Sequence, residues 1–224
     1  MNLEAIRDKN LKKLSDYGFS VSTSLPISDS GLMRSYKEIA TRLYALDALV
    51  CWVVFNEEQT SSERIRSYIH NNGLSEFFTS TETEILSLER TTANELYADT
   101  IGWRLENMWA LSWVLGFKIE PSVLVGQLPD EVTRAMVYDF LPGLDSSISD
   151  LLSKNRARSI EEVIELEDLY YCTHNAVRSA QLGENTVPSN YHPIIDGGAV
   201  HERRHSLTWC ISPNVEWSDV DLST

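Results

Sequence analysis

Residues 102–116 read GWRLENMWALSWVLG, and large apolar side chains point to nearly every side of a helical wheel drawn through them. A helix that is apolar all round has to be surrounded by other elements, so Trp103–Leu115 is expected to sit at the centre of a helical core. Gly116 then supplies the left-handed C′ residue that ends it. Arg104, Glu106 and Asn107 interrupt the apolar surface and need partners.

Helix signals recur on both sides of this stretch. Leu3–Tyr17 stops at Gly18, and FSVSTSLPISDSG, residues 19–31, is expected to be a loop or a short extended piece. From Met33 to about Val54, apolar residues recur as Tyr36, Ile39, Leu43, Leu46, Val50 and Val53, at helical spacing. Thr60 with Glu63, Thr79 with Glu82 and Ser159 with Glu162 have the spacing of capping boxes. The first opens a short helix closed by NNG at 71–73. The second opens a long helix running to Gly116, and the third a helix reaching about Leu182. LPDEVTRAMVYDFLPG adds a helix fenced by Pro129 and Pro142, and a last one starts near Gly198 and stops before Pro213. No repeat and no sustained alternating pattern competes with these signals. The expected fold is all-α, a single compact domain of about seven helices around the Trp-rich one, with little or no sheet. Residues 1–30 form an N-terminal helix and loop, and 31–224 the helical domain. The connection from Gly183 to Gly198 is long for a compact domain, and is the best candidate for a moving or partner-binding segment.

Of 224 residues, 42% are hydrophobic and six are Trp, enough for a sizeable core. Nineteen Lys and Arg face 33 Asp and Glu, a net charge of −14 that repels nucleic acid and anionic lipid. Such a surface suits a basic protein partner, or serves solubility. Cys51, Cys172 and Cys210 form no metal- or disulfide-like spacing and read as small buried hydrophobes in a reducing compartment. The start of the chain has no signal-peptide pattern, and the longest apolar run, ALVCWVVF at 48–55, is too short for a bilayer. The expected location is cytoplasmic, with no membrane contact.

Residues 201–205, HERRH, spell a zinc-hydrolase motif, in which two imidazoles hold the metal and a glutamate activates water. A wheel at about 100° per residue argues against it. Val200, Leu207, Cys210 and Ile211 cluster at ~180–280° from His201, whereas His201 and His205 fall on the opposite side. Arg203 and Arg204 would oppose a cation, and no third ligand has a fixed place. His201 and His205 are therefore only weak metal candidates, and no cofactor is expected. Arg203, by contrast, lies in the apolar stripe and needs a carboxylate or an anion. Glu106 is a natural partner for Arg203 or Arg178. On the helix opened by Ser159, Glu167, Tyr171, His174 and Arg178 share a partly apolar face with Ile160, Val163, Ile164 and Tyr170. They read as acid–base machinery with an anion clamp, or as a network that sets helix register. The Gly197–Gly198 pair before a helix could hold an anion through its amides.

Four ordered segments, WRLENMWALSWVLG, LEDLYYCTHNAVR, VHERRHSLTW and WSDVDLST, together resemble the bacterial domain-of-unknown-function family 4272, over roughly residues 30–224. The resemblance covers Trp103, Arg104 and Glu106; then Asp168, His174 and Arg178; then Glu202, Arg203, Leu207 and Trp209; and last Trp217, Asp219, Val220 and Thr224. Asn175, Ser218 and Ser223 depart from the family pattern. In that pattern Glu202–Arg203 is the shared pair, and the places of His201 and His205 are not reserved for histidine. The resemblance implies a fold and no transferable activity.

The leading functional expectation is a non-enzymatic protein-binding factor, of immunity or accessory type, that docks a basic protein. The alternative is an enzyme acting on an anionic small molecule through Glu106, His174, Arg178, Glu202 and Arg203, within a polar network that adds Arg104, Glu167, Asp168 and Tyr171. The third is the zinc hydrolase.

Overall fold

The computed structural model describes residues 1–27 and 31–224. Residues 28–30 of the expected loop lie outside the described residues. The helices run in the order α1 (Leu3–Asp16), α2 (Tyr36–Val54), α3 (Ser62–Asn71), α4 (Ser80–Ser87) and α5 (Arg90–Ile101). There follow α6 (Trp103–Val114), α7 (Asp130–Arg134), α8 (Ile148–Lys154), α9 (Ile160–Gln181) and α10 (Ile195–Cys210). Among the described residues there is no strand, so the all-α expectation holds.

Among the described residues ten α-helices replace the expected seven, for local reasons. The long helix expected from Thr79 to Gly116 is three: Leu88 and Glu89 are extended, with ψ of 152° and 141°, and Gly102 makes the joint between α5 and α6. Ser147 and Asp150 form a capping box that opens α8, which the pattern reading missed. The boxes at Thr79–Glu82 and Ser159–Glu162 form as expected. The one expected at Thr60–Glu63 shifts by a residue: Ser61 caps α3 by accepting from the Arg64 amide. Asp130–Phe140 is not uniform either. After α7 the chain widens into a π-helical run, Ala135–Phe140, closed by the Leu141 amide on the Met136 carbonyl at 2.9 Å.

The chain divides into two compact units. One consists of Met1–Arg34, Glu120–Leu128 and Arg158–Thr224, and in it α9 packs on both α1 and α10. Here a Cβ on Gly197 would meet Val177 Cγ1 at 2.6 Å, so glycine lets α10 approach α9 closely. The segment expected to move, 183–198, is pinned in this unit. Thr186 donates to the Ala176 carbonyl and accepts from the Ser20 amide, Tyr191 packs edge-on against Phe19 at 5.2 Å, and α10 begins at Ile195 rather than Gly198.

The other unit consists of Ser35–Ile119 and Pro129–Ala157. Its hub is α2, buried almost continuously from Ile39 to Leu49 and packed on α3, α4, α5, α6 and α8. The central place expected for Trp103–Leu115 therefore falls to α2 in this unit, with α6 as one of its neighbours. Arg42 is buried and forks onto Glu82 through two 2.7 Å bonds. Arg90 is buried at the end of α2 and donates to the carbonyls of Cys51, Trp52 and Phe55, at the helix C-terminus where carbonyls run short of main-chain donors.

Asp47 stands apart in this unit, since its carboxylate is buried and accepts from the Tyr68 hydroxyl at 3.2 Å. Burial pushes it up to about 6, and the Tyr68 bond only partly offsets this. The folded form thus holds a proton that the unfolded chain has released above its ordinary value of 3.8. Stability from this group is complete below that value and is lost as pH rises through about 6. Asp47→Asn is expected to stabilise the unit by about 2–3 kcal/mol at pH 7.5, and by little at pH 4. Urea unfolding at the two pH values checks this; an equal gain at both would show that charge is not the cause.

Candidate functional site

The nominated side chains of α9 and α10 converge in the first unit, together with cations from α1 that the sequence reading had not singled out. On α9, Leu166 to Thr173 are all buried, which brings Glu167, Asp168 and Tyr171 inside. About two turns of mixed polar and apolar residues can be buried only if each polar group finds a partner. Asp168 finds Arg7 of α1, whose Nε donates to Oδ1 at 2.8 Å, while Asn10 Nδ2 donates to Oδ2 at 2.9 Å. Arg7 also donates to the Leu25 and Pro26 carbonyls, so one guanidinium ties α1, α9 and the following loop together.

Glu167 accepts from Thr208 Oγ1 at 2.8 Å and lies 3.9 Å from Arg204 Nε. Burial pushes the Glu167 carboxyl above its ordinary range, against the pull of Arg204 and Thr208. Arg204 is buried over the Tyr171 ring, 4.6 Å from its centroid, and Arg7 approaches the same ring at 5.6 Å. Arg204 Nη1 meets His174 Nδ1 at 2.6 Å and donates to the Leu222 carbonyl at 2.8 Å. A guanidinium can only donate, so His174 accepts at Nδ1 and carries its proton at Nε2.

Burial, reinforced by the charge of Arg204 and by His201 and Arg178, drives His174 down to about 3. Its folded form stays neutral while the unfolded imidazole binds a proton below the ordinary value of 6.5. Stability from this group is complete above that value and is lost as pH falls toward about 3. The slope approaches ~1.4 kcal/mol per pH unit once the unfolded histidine is protonated. Replacing His174 with glutamine should remove this slope between pH 6 and pH 5, and the opposite contribution of Asp47 in that range is common to both proteins and cancels in the comparison. Unfolding free energies of both proteins across that range check it, and parallel curves would mean that His174 titrates normally.

Arg203 is fully buried, as the wheel placed it, on the side opposite His201. The expectation for it was a carboxylate or an anion. The bonds it makes within its own unit are to main-chain oxygens: Nη1 donates to the Ser122 and Val125 carbonyls at 2.9 and 2.7 Å, and Nη2 to the Gly126 carbonyl at 2.6 Å. The loop lies close against α10, because a Cβ on Gly126 would meet Asp196 Oδ1 at 2.1 Å. Arg34 repeats the pattern at the end of α10, donating to the Trp209, Ser212 and Val215 carbonyls with its guanidinium 4.1 Å from the centre of the Trp209 ring.

Arg178 is exposed and donates to Gln181 Oε1 at 2.7 Å, outside the buried network. Glu202 is half-buried. Glu106 is buried on α6 of the other unit, where Arg104 lies 4.0 Å from Glu82. His201 is exposed, as expected. His205 is not turned to water: its Nε2 lies 2.9 Å from the Trp217 carbonyl and its ring packs against the Trp217 ring at 4.4 Å. Among the described residues no group of three or more His, Cys, Asp or Glu is placed to hold a metal ion. The three cysteines are buried, and no described helix is long and apolar enough to cross a membrane.

Arg204, Arg7, Asn10 and Arg34 are the members of this layer that sequence reasoning missed. Arg204 was within reach. On the same wheel it falls at ~300°, only ~20° from Ile211, so the apolar stripe already claimed it. Nothing local marks Arg7, which lies on a helix with Lys9, Lys12 and Lys13.

Compared with known proteins, the chain matches a family described as Domain of unknown function (DUF4272) over residues 7–220, a range that takes in most of α1. No curated protein and no solved structure matches it.

Proposed function

We propose that this chain, which belongs to the DUF4272 family, is a non-enzymatic cytoplasmic binding protein. In this reading it is an accessory or immunity-type factor that docks a basic protein through its acidic exterior, and its buried charges serve architecture. The observation that carries this reading is the occupation of His174. A general base for neutral pH needs a free lone pair and a pKa near the working pH. His174 Nδ1 instead faces the Arg204 guanidinium at 2.6 Å, and its proton affinity is driven down to about 3. Arg7, Arg34 and Arg203 likewise direct their donors at carbonyl or carboxylate oxygens of their own unit. The net charge of −14 supplies long-range attraction for a basic partner, an attraction that salt weakens.

The test pairs binding with turnover. Capture from host extract at low and high salt should recover a basic protein that salt releases, equally for the wild type and for His174→Gln. Time-dependent consumption of an anionic metabolite that His174→Gln abolishes would replace this reading with the enzymatic one.

A further inference from the structure

A concavity in the second unit lies between the turn that ends α6, the π-helical run and the end of α8. Its volume is about 730 Å³, within the usual range of small-molecule sites. Two local features shape it. The π turn spreads Ala135–Phe140 wider than an α-helix would, and Pro142 stops the helix immediately afterwards. Gly116, at φ +108°, lets the end of α6 press onto the backbone of Arg156, where a Cβ would meet the carbonyl oxygen at 2.6 Å. The floor is apolar: Phe117 and Leu141 are buried, and the Phe117 and Phe140 rings lie 5.4 Å apart. Tyr138, 72% exposed, stands at the same groove.

The charges at this groove run against those of the chain. Lys118 and Lys154 line it, both are exposed, and neither makes an ion pair among the described residues. Asp139 is the one carboxylate in the lining. An apolar floor with two exposed ammonium groups complements a ligand that has a hydrocarbon body and one negative head. The overall charge of −14 disfavours more highly charged anions. We propose that this groove binds a small amphipathic monocarboxylate, its hydrocarbon on Phe117, Phe140 and Leu141 and its carboxylate at Lys118 and Lys154. This site is independent of the protein-binding reading and can stand or fall without it.

Titration calorimetry of the full chain with decanoate, 1-decanol and decyltrimethylammonium tests the proposal. Decanoate should bind with Kd of about 100 µM or tighter, and the ammonium amphiphile should not bind. The double variant Lys118→Glu/Lys154→Glu changes only exposed side chains; it should weaken decanoate about tenfold and leave decanol within about twofold. Tyr138→Ser should weaken both several-fold. Absence of decanoate binding, equal binding of all three amphiphiles, or an unchanged decanoate affinity in the lysine variant would each overturn the assignment.

Discussion

Arg203→Met should lower the stability of the first unit by about 3–5 kcal/mol, through the main-chain acceptors it leaves without a charged donor. Methionine matches the volume of the arginine stem but has no N–H. The Val125 and Gly126 carbonyls would lose this donor, the Ser122 carbonyl would keep only the Val125 amide at 3.3 Å, and each buried acceptor left unmet costs about 1–3 kcal/mol. Part of that is recovered because the three carbonyls are only partly buried and water can reach them once the loop loosens. The urea midpoint should fall by about 1–2 M, and amide exchange should speed up first in residues 120–128. Arg203→Lys should fall between the two, since one ammonium cannot reproduce a planar fork aimed at three acceptors. A methionine variant within about 0.5 kcal/mol of the wild type would show that packing alone holds this loop on α10.

A loss of similar size is expected in the second unit from Glu82→Leu. Arg42 and Glu82 are essentially sealed from solvent, and the guanidinium also donates to the Phe77 carbonyl at 2.6 Å. Burial pushes the Glu82 carboxyl up, but Arg42's bonds and charge outweigh it and hold the group below its ordinary value. Removing the carboxylate leaves a guanidinium that cannot discharge, at a cost of about 3–5 kcal/mol. The same substitution also removes the acceptor for the Thr79 amide in the capping box of α4, worth about 1 kcal/mol. The double variant Arg42→Met/Glu82→Leu should recover much of this loss, because it leaves neither charge unpaired. Strict additivity of the two single losses would refute the pairing, and a double-mutant cycle in urea measures it.

Glu82 shows how far a sequence can be read. Its capping role was legible, because Thr79 and Glu82 are three residues apart and the box is closed by bonds within one turn. Its role as the counter-ion of Arg42 was not, since the partners are 40 residues apart and meet only when α4 lands on α2. The same division runs through the buried polar layer. The stripe Glu167, Tyr171, His174 was visible as a face of α9, and Arg203 as an intruder in the apolar stripe of α10. Arg178 continued that stripe by spacing alone, yet it ends in solvent near the end of α9. The helix count was read too low for a comparable reason. Joints such as Leu88–Glu89 and Gly102 do not interrupt the apolar periodicity that defines a helix on paper.

By itself the sequence determined the all-α class, most helix ends, the inward turn of Arg203 and the outward turn of His201, because these depend on a repeat of 3.6 residues and on caps three residues apart. Only the tertiary structure decided which acceptor each buried cation meets. Arg7 reaches across 161 residues to Asp168, and Arg203 reaches the carbonyls of a loop 77–81 residues before it. A guanidinium donates to any well-placed oxygen, so its partner is chosen by which elements pack against it, and that information is not carried in the residues around it.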